Sequence, residues 1–183
     1  MLKRYLFLSF LAIIALLIAS CSKSSIDAVD ENELITTVKL SFTAGGTTQT
    51  FSYSDPDGDG GNAPIINDIS LKANTTYTLI IELFDESKSP IINITDEVSA
   101  NRDEHLFIYT PSPSTLLTYT YGDKDSRNFN VGLTGSVKTG AAATGKLKVQ
   151  LRHQPPIGGK ASKDGTLAPG SDDVNIDFNV VIQ

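Results

Sequence analysis

The chain has 183 residues, with 15 basic side chains against 21 acidic ones, a net charge of −6 and a single cysteine. An acidic surface repels phosphate backbones and anionic headgroups, which argues against nucleic acid as a partner. One cysteine rules out an internal disulfide and a cysteine-based zinc cluster, so the folded part must hold together without cross-links.

Lys3 and Arg4 precede an apolar run over residues 5–18. That length suits the hydrophobic part of a secretory signal and falls short of the ~20 residues that cross a bilayer. The run ends in Ile18-Ala19-Ser20-Cys21, an order that resembles the lipobox of bacterial lipoproteins, in which the signal is cut just before the cysteine. The resemblance implies that residues 1–20 are a signal peptide and that Cys21 carries the lipid. A single acyl chain holds a protein only marginally, whereas the two or three chains of such a lipoprotein make a stable membrane anchor. Removing Lys3 and Arg4 leaves 13 basic residues against 21 acidic ones, a net charge of −8.

Residues 21–33 read as the lipidated cysteine and a flexible tether, with Asp27, Asp30, Glu31 and Glu33 and little to bury. Acids close behind a lipidated cysteine also resemble the signal that sends Bacteroidetes lipoproteins to the surface. The expected location is the outer membrane, lipid-anchored, on the periplasmic face or at the cell surface.

From residue 34 onward the apolar positions alternate with period two, and no long stretch has a helical period. Val38, Leu40 and Phe42 share one face of a first strand, and Phe51 and Tyr53 follow across a Gly45-Gly46 turn. Ile65, Ile69 and Leu71 suggest a third strand. Tyr77, Leu79, Ile81 and Leu83 make a fourth, and Ile80 and Phe84 on its other face predict burial on both sides. Further strands are expected over residues 91–94, 105–110, 116–121 and 129–133. A lysine-flanked strand carries Leu147, Val149 and Leu151, and a last one carries Val174, Ile176, Phe178, Val180 and Ile182. A short helix is expected to begin at Thr95, whose hydroxyl offers a cap followed by the acids Asp96 and Glu97. Residues 154–173, rich in Gly and Pro, form a long loop, and loops of that length in a compact domain are often functional. Residues 34–183 therefore predict one all-β domain, an antiparallel immunoglobulin-like β-sandwich of about 8–10 short strands, with a small β-barrel as the alternative.

Five ordered motifs carry a wider resemblance: Glu33-Leu34-Ile35-Thr36-Thr37-Val38, Asp55-Pro56-Asp57-Gly58-Asp59-Gly60, Ala73-Asn74-Thr75-Thr76-Tyr77, Asp103-Glu104-His105 and Leu151-Arg152-His153. Together they resemble a family of small Bacteroidetes outer-membrane lipoproteins often labelled "type 1 periplasmic binding fold superfamily protein". The resemblance implies an envelope location and work beside an outer-membrane uptake receptor. The label implies two lobes of parallel strand and helix units, whereas the period-two pattern predicts strands alone.

Asp55, Asp57 and Asp59 stand at alternate positions before Gly60. This is how a calcium loop of the EF-hand type begins, and Asn62 and Asp68 are placed to complete the oxygen ligands that calcium needs. Ile66 stands where a bidentate Glu would be expected, and a turn between strands explains the same residues. The two histidines make a second constellation: His105 behind Asp103 and Glu104, and His153 at the end of the Leu147 strand. Imidazoles beside carboxylates are a zinc or copper set if the fold brings them together. Tyr109, Tyr119 and Tyr121 offer a weaker, aromatic ligand surface.

Residues 140–146 match the spacing of a phosphate loop, but Leu147 replaces its Ser or Thr and a strand follows where a helix is required, so they read as a hairpin turn. No nucleophile elbow, free thiol or spaced triad is present, and no enzymatic activity is expected. The sequence thus predicts a non-enzymatic, lipid-anchored envelope binding protein, an accessory to an uptake receptor. The alternatives are a zinc or copper protein using His105 and His153, or a structural or adhesive domain stabilised by calcium.

Overall fold

A computed structural model describes residues 34–58 and 61–183; the signal, Cys21, the tether and Asp59 lie outside the described residues. The described residues fall within one compact unit, Asn32–Gln183. In chain order the strands are β1 (Thr37–Ala44), β2 (Thr47–Ser54), β3 (Ile65–Ile66), β4 (Ile69–Leu71), β5 (Thr76–Asp85), β6 (Ile92–Asn93), β7 (His105–Ser112), β8 (Leu117–Tyr121), β9 (Thr134–Thr139), β10 (Ala143–His153) and β11 (Ser171–Ile182). The helix α1 (Ile94–Ala100) lies between β6 and β7.

Two sheets form an open sandwich. One runs β3-β2-β1-β5-β9-β8, with β6 beside β5, and the other runs β4-β11-β10-β7. The alternating apolar residues of β1, β5, β10 and β11 turn inward, and Val38, Leu40, Phe42, Leu79, Ile81, Val149, Leu151 and Phe178 are fully buried. Burial of such side chains is the main stabilising term, roughly 1.5–3 kcal/mol each before the entropic cost of ordering. The sandwich expectation therefore holds, and the parallel-sheet lobes implied by the family label are not found among the described residues.

Several local expectations are corrected. Ile65 and Ile69 do not share a strand, because the chain leaves β3 in one sheet and enters β4 in the other, where β4 pairs parallel with β11. Ile80 is 45% exposed, so β5 is not buried on both faces. Residues 129–133 are not a strand: the Asp123 carboxylate takes the N–H groups of Gly132 and Leu133 and holds them in a loop. The strand follows instead at β9, where Gly135 lies against the Tyr119 ring, and an added Cβ there would come within 2.4 Å of it. The helix is capped by Asn93, while the Thr95 hydroxyl is spent on the Leu83 backbone. Residues 140–142 cross from one sheet to the other and do not close a hairpin, since β9 and β10 never pair.

Candidate metal centre

The two histidines meet. β7 opens with His105, β10 closes with His153, and the antiparallel register sets them directly opposite one another. Opposed residues of such a pair share one face of the sheet with Cβ atoms ~5 Å apart. The imidazoles stack nearly parallel, with centroids 4.8 Å apart and 7° between planes.

Asp173 joins them through a bulge. Leu151 opposes Val174 and Arg152 opposes Asp172, so Asp173 is the extra residue on β11. A bulge re-aims a side chain against the strand's alternation, and here it turns a carboxylate inward to 1% exposure beside the 2% exposed His105. One donor atom from each of His105, His153 and Asp173 can be chosen so that all lie within 4.8 Å of one another. Gly170 makes the approach practicable: it sits at φ +74°, and an added Cβ would meet the His153 carbonyl oxygen at 1.8 Å.

The hydrogen bonds of His105 fix its tautomer. Its Nδ1 lies 3.0 Å from the Asn101 carbonyl oxygen at the end of α1. A carbonyl only accepts, so Nδ1 carries the proton and Nε2 presents a lone pair. That Nε2 is buried with no hydrogen-bond partner among the described residues. Burial pushes the imidazole down to about 4, against the upward pull of the Asn101 carbonyl, and the fields of His153 and Lys163 push the same way as burial. At neutral pH the ring is therefore uncharged. Its contact with the Asp173 carboxylate at 3.9 Å is a lone pair facing a carboxylate oxygen, beyond hydrogen-bond reach, and not an ion pair.

A cation bound by both oxygen and nitrogen would satisfy this arrangement. Ligands ~2.1 Å from a tetrahedral zinc lie ~3.4 Å apart, so the three donors would have to close by on the order of 1 Å. The Nδ1–H bond from His105 to a backbone carbonyl is also the usual outer support of a metal-bound imidazole.

The sequence-predicted acids divide. The Glu104 carboxylate lies 3.8 Å from His153 Nε2, at the rim of the cluster. Asp103 turns away, and this corrects its assignment as a ligand: its carboxylate accepts from the Ser126 amide at 2.8 Å and the Ser126 hydroxyl at 2.5 Å. Those bonds hold it below the usual carboxylate range. Asp173 takes its place. Its sequence signal is faint: two consecutive acids, Asp172-Asp173, where the alternation of β11 breaks.

The long loop between β10 and β11 is pinned beside this cluster. Lys163, its ammonium fully buried, pairs with the Asp125 carboxylate at 2.9 Å and donates to the Arg102 carbonyl at 2.9 Å. Gln154, also buried, donates to the Thr166 and Pro169 carbonyls, and Arg152 pairs with Asp172 at 2.7 Å while also donating to the Gly170 carbonyl.

The other expected sites are arranged differently. In the Asp55 loop, Asp57 Oδ2 accepts from both the backbone and the side-chain amide of Asn62, which depresses its pKa, and Asp55 accepts from the Tyr53 hydroxyl. Asp68 accepts from Asn179 on β11. Among the described residues the one group of three or more metal-ligating side chains is the His105 cluster, so Asp55, Asp57 and Asp68 are not gathered. The tyrosines line the β7/β8 margin, where the Tyr121 hydroxyl on β8 reaches across to β7 of the other sheet. Tyr109 donates to the Gly132 carbonyl at 2.7 Å, Tyr119 to Thr134 at 2.9 Å and Tyr121 to Phe107 at 2.8 Å.

No family model, no curated protein and no solved structure matches this chain.

Proposed function

We propose that this chain is a lipid-anchored envelope protein whose ligand is a divalent transition-metal ion, held without catalysis by His105, His153 and Asp173. The observation that carries this reading is the buried His105 Nε2, without a hydrogen-bond partner among the described residues and within the same small volume as His153 and Asp173. Two imidazoles and a carboxylate are a borderline donor set that favours zinc or copper(II) over calcium or magnesium, which prefer oxygen alone. With three protein ligands, one coordination position stays open for water, for Glu104 or for a group brought by a partner. The setting implied by the lipobox, Cys21 and the acidic tether is the outer membrane beside an uptake receptor.

Calorimetric titration of the detergent-solubilised mature protein tests this. Zinc or copper(II) should bind at one site per chain, and Asp173→Asn should weaken it by 10-fold or more, in the range typical of lost ligands and their supports. Equal binding by Asp173→Asn and the parent would remove the site. Cys21→Ser should move the protein from the membrane pellet to the soluble fraction, and retention through a high-salt wash would mean another anchor.

A further inference from the structure

The two lateral margins of the sandwich differ. The β7/β8 margin is closed by the tyrosine hydroxyls described above. The opposite margin is a cleft of about 380 Å³ between β2/β3 of one sheet and the first half of β11 in the other. Its apolar lining is Ile35, Val38, Tyr53, Pro64, Ile66 and Ile176, and Ile66 stands 40% exposed.

Along that cleft β11 has an open edge. Gln183 donates to the Leu71 carbonyl and accepts from the Ala73 amide, so its backbone groups point toward β4. Successive residues of a strand alternate in this, and the only register shift of the β10/β11 ladder lies before Val174. The N–H and C=O groups of Asn175 and Asp177 therefore point to the same outer side, while those of Val174, Ile176 and Phe178 serve the ladder with β10. β4 covers that side only opposite Val180, Val181 and Ile182. Among the described residues no strand stands against the edge from Asp173 to Asp177. An edge of this kind, with directional backbone groups above an apolar floor, is how a sheet receives an added strand.

We infer that this margin is a docking groove for an extended peptide segment of a partner protein, taken up as a strand beside β11, with apolar side chains alternating toward the floor and basic side chains at the rim. The preference for basic residues follows from charge: Asp55 adjoins Tyr53 and the chain as a whole is acidic, while the Asp177 carboxylate is already paired with Lys148. The length follows from the exposed edge, since five residues at ~3.3 Å each span ~17 Å before β4 blocks the way. The groove shares Asp173 with the metal reading but rests on the backbone edge at Asn175 and Asp177, so it stands if that reading fails.

The test uses the mature lipoprotein in detergent and a labelled seven-residue peptide that alternates lysine with isoleucine and valine. Its control is the same peptide N-methylated on the amides of one edge. Fluorescence anisotropy should give micromolar binding of the first and none of the second. Amide exchange over residues 173–179 should be fast at Asn175 and Asp177 and should slow with the peptide. Asn175→Pro removes an outward N–H without touching the β10 ladder, so it should weaken binding at least about tenfold at an unchanged melting temperature, and Asn175→Ala should not. Equal binding of the N-methylated peptide, or no binding at millimolar concentration, overturns the proposal. So does protection of Asn175 and Asp177 that disappears on deleting residues 22–33, because the chain's own tether would then be the occupant. Protection that disappears on dilution to monomer would assign the edge to a second copy and would overturn the proposal as well.

Discussion

His105 and His153 are register partners whose rings stack at 4.8 Å, yet their environments differ: the side chain of His105 is 2% exposed and that of His153 is 18% exposed. Loss of either should abolish high-affinity zinc or copper binding, but the stability costs should separate. His105→Ala empties a buried ring-sized volume and should cost roughly 2–4 kcal/mol in urea unfolding. His153→Ala lies nearer solvent and should cost about 1 kcal/mol. A His153→Ala protein that keeps the parent's metal affinity would show that the stacked pair is structural.

The buried His105 also predicts how the metal-free protein responds to acid. Its folded pKa of about 4 lies below the ordinary 6.5, so between these values the unfolded chain binds a proton that the folded chain refuses. Stability therefore rises with pH across that window: full above pH 6.5, falling as the pH drops toward 4. The loss contributed by this residue is at most about 3 kcal/mol. His105→Phe should flatten the 4–6.5 segment of the stability profile, and an unaltered slope would assign acid sensitivity to other groups.

The fold was legible because strand burial writes itself as period two, as in Val38-Leu40-Phe42 and Val174-Ile176-Phe178. β9 was not, since a strand of Thr134–Thr139 with Gly135 and a single apolar residue, Val137, carries too little apolar signal to register. The same limit applies to the site. His105 and His153 could be picked out by residue type, but their meeting depends on the β7/β10 register, which no local pattern encodes. Asp173 depends on a bulge, a one-residue irregularity that reverses facing. Asp103 was misplaced because sequence proximity to His105 says nothing of direction, and Ser126 claims its carboxylate.

The Asp55 loop offers a third test. Asp57 Oδ2 already accepts two hydrogen bonds from Asn62, and Asp68 is held by Asn179, so both carboxylates are engaged by protein donors. The melting temperature should then be independent of calcium up to millimolar concentration. Binding with calcium a hundredfold above its dissociation constant would add about 2.7 kcal/mol. A rise of that order, removed by Asp57→Asn with Asp59→Asn, would reinstate the calcium site expected from the spacing.

The last prediction concerns the Lys163–Asp125 pair, which fastens the long loop beside the metal cluster. Both side chains are fully buried, with a 2.9 Å contact, and Asp125 also accepts backbone N–H groups from Arg127 and Phe129 through its other oxygen. Burial alone would raise the Asp125 pKa, but the Lys163 ammonium and the Phe129 and Arg127 amides outweigh it and hold the carboxyl below its usual range. For Lys163, burial is the larger influence and lowers the ammonium. Lys163→Met would leave that carboxylate buried without its cation, and breaking such a pair from one side costs about 3–5 kcal/mol. Adding Asp125→Asn removes the stranded charge but keeps the Oδ1 acceptor for the two amides, so the double variant should regain at least half of the loss. Because Lys163 also donates to the Arg102 carbonyl, three residues before His105, Lys163→Met should loosen the loop against β7 and speed its proteolysis between residues 154 and 170. Equal stability of Lys163→Met and the parent would mean that the loop is held by Arg152 and Gln154 instead, and that the buried pair contributes no net stability.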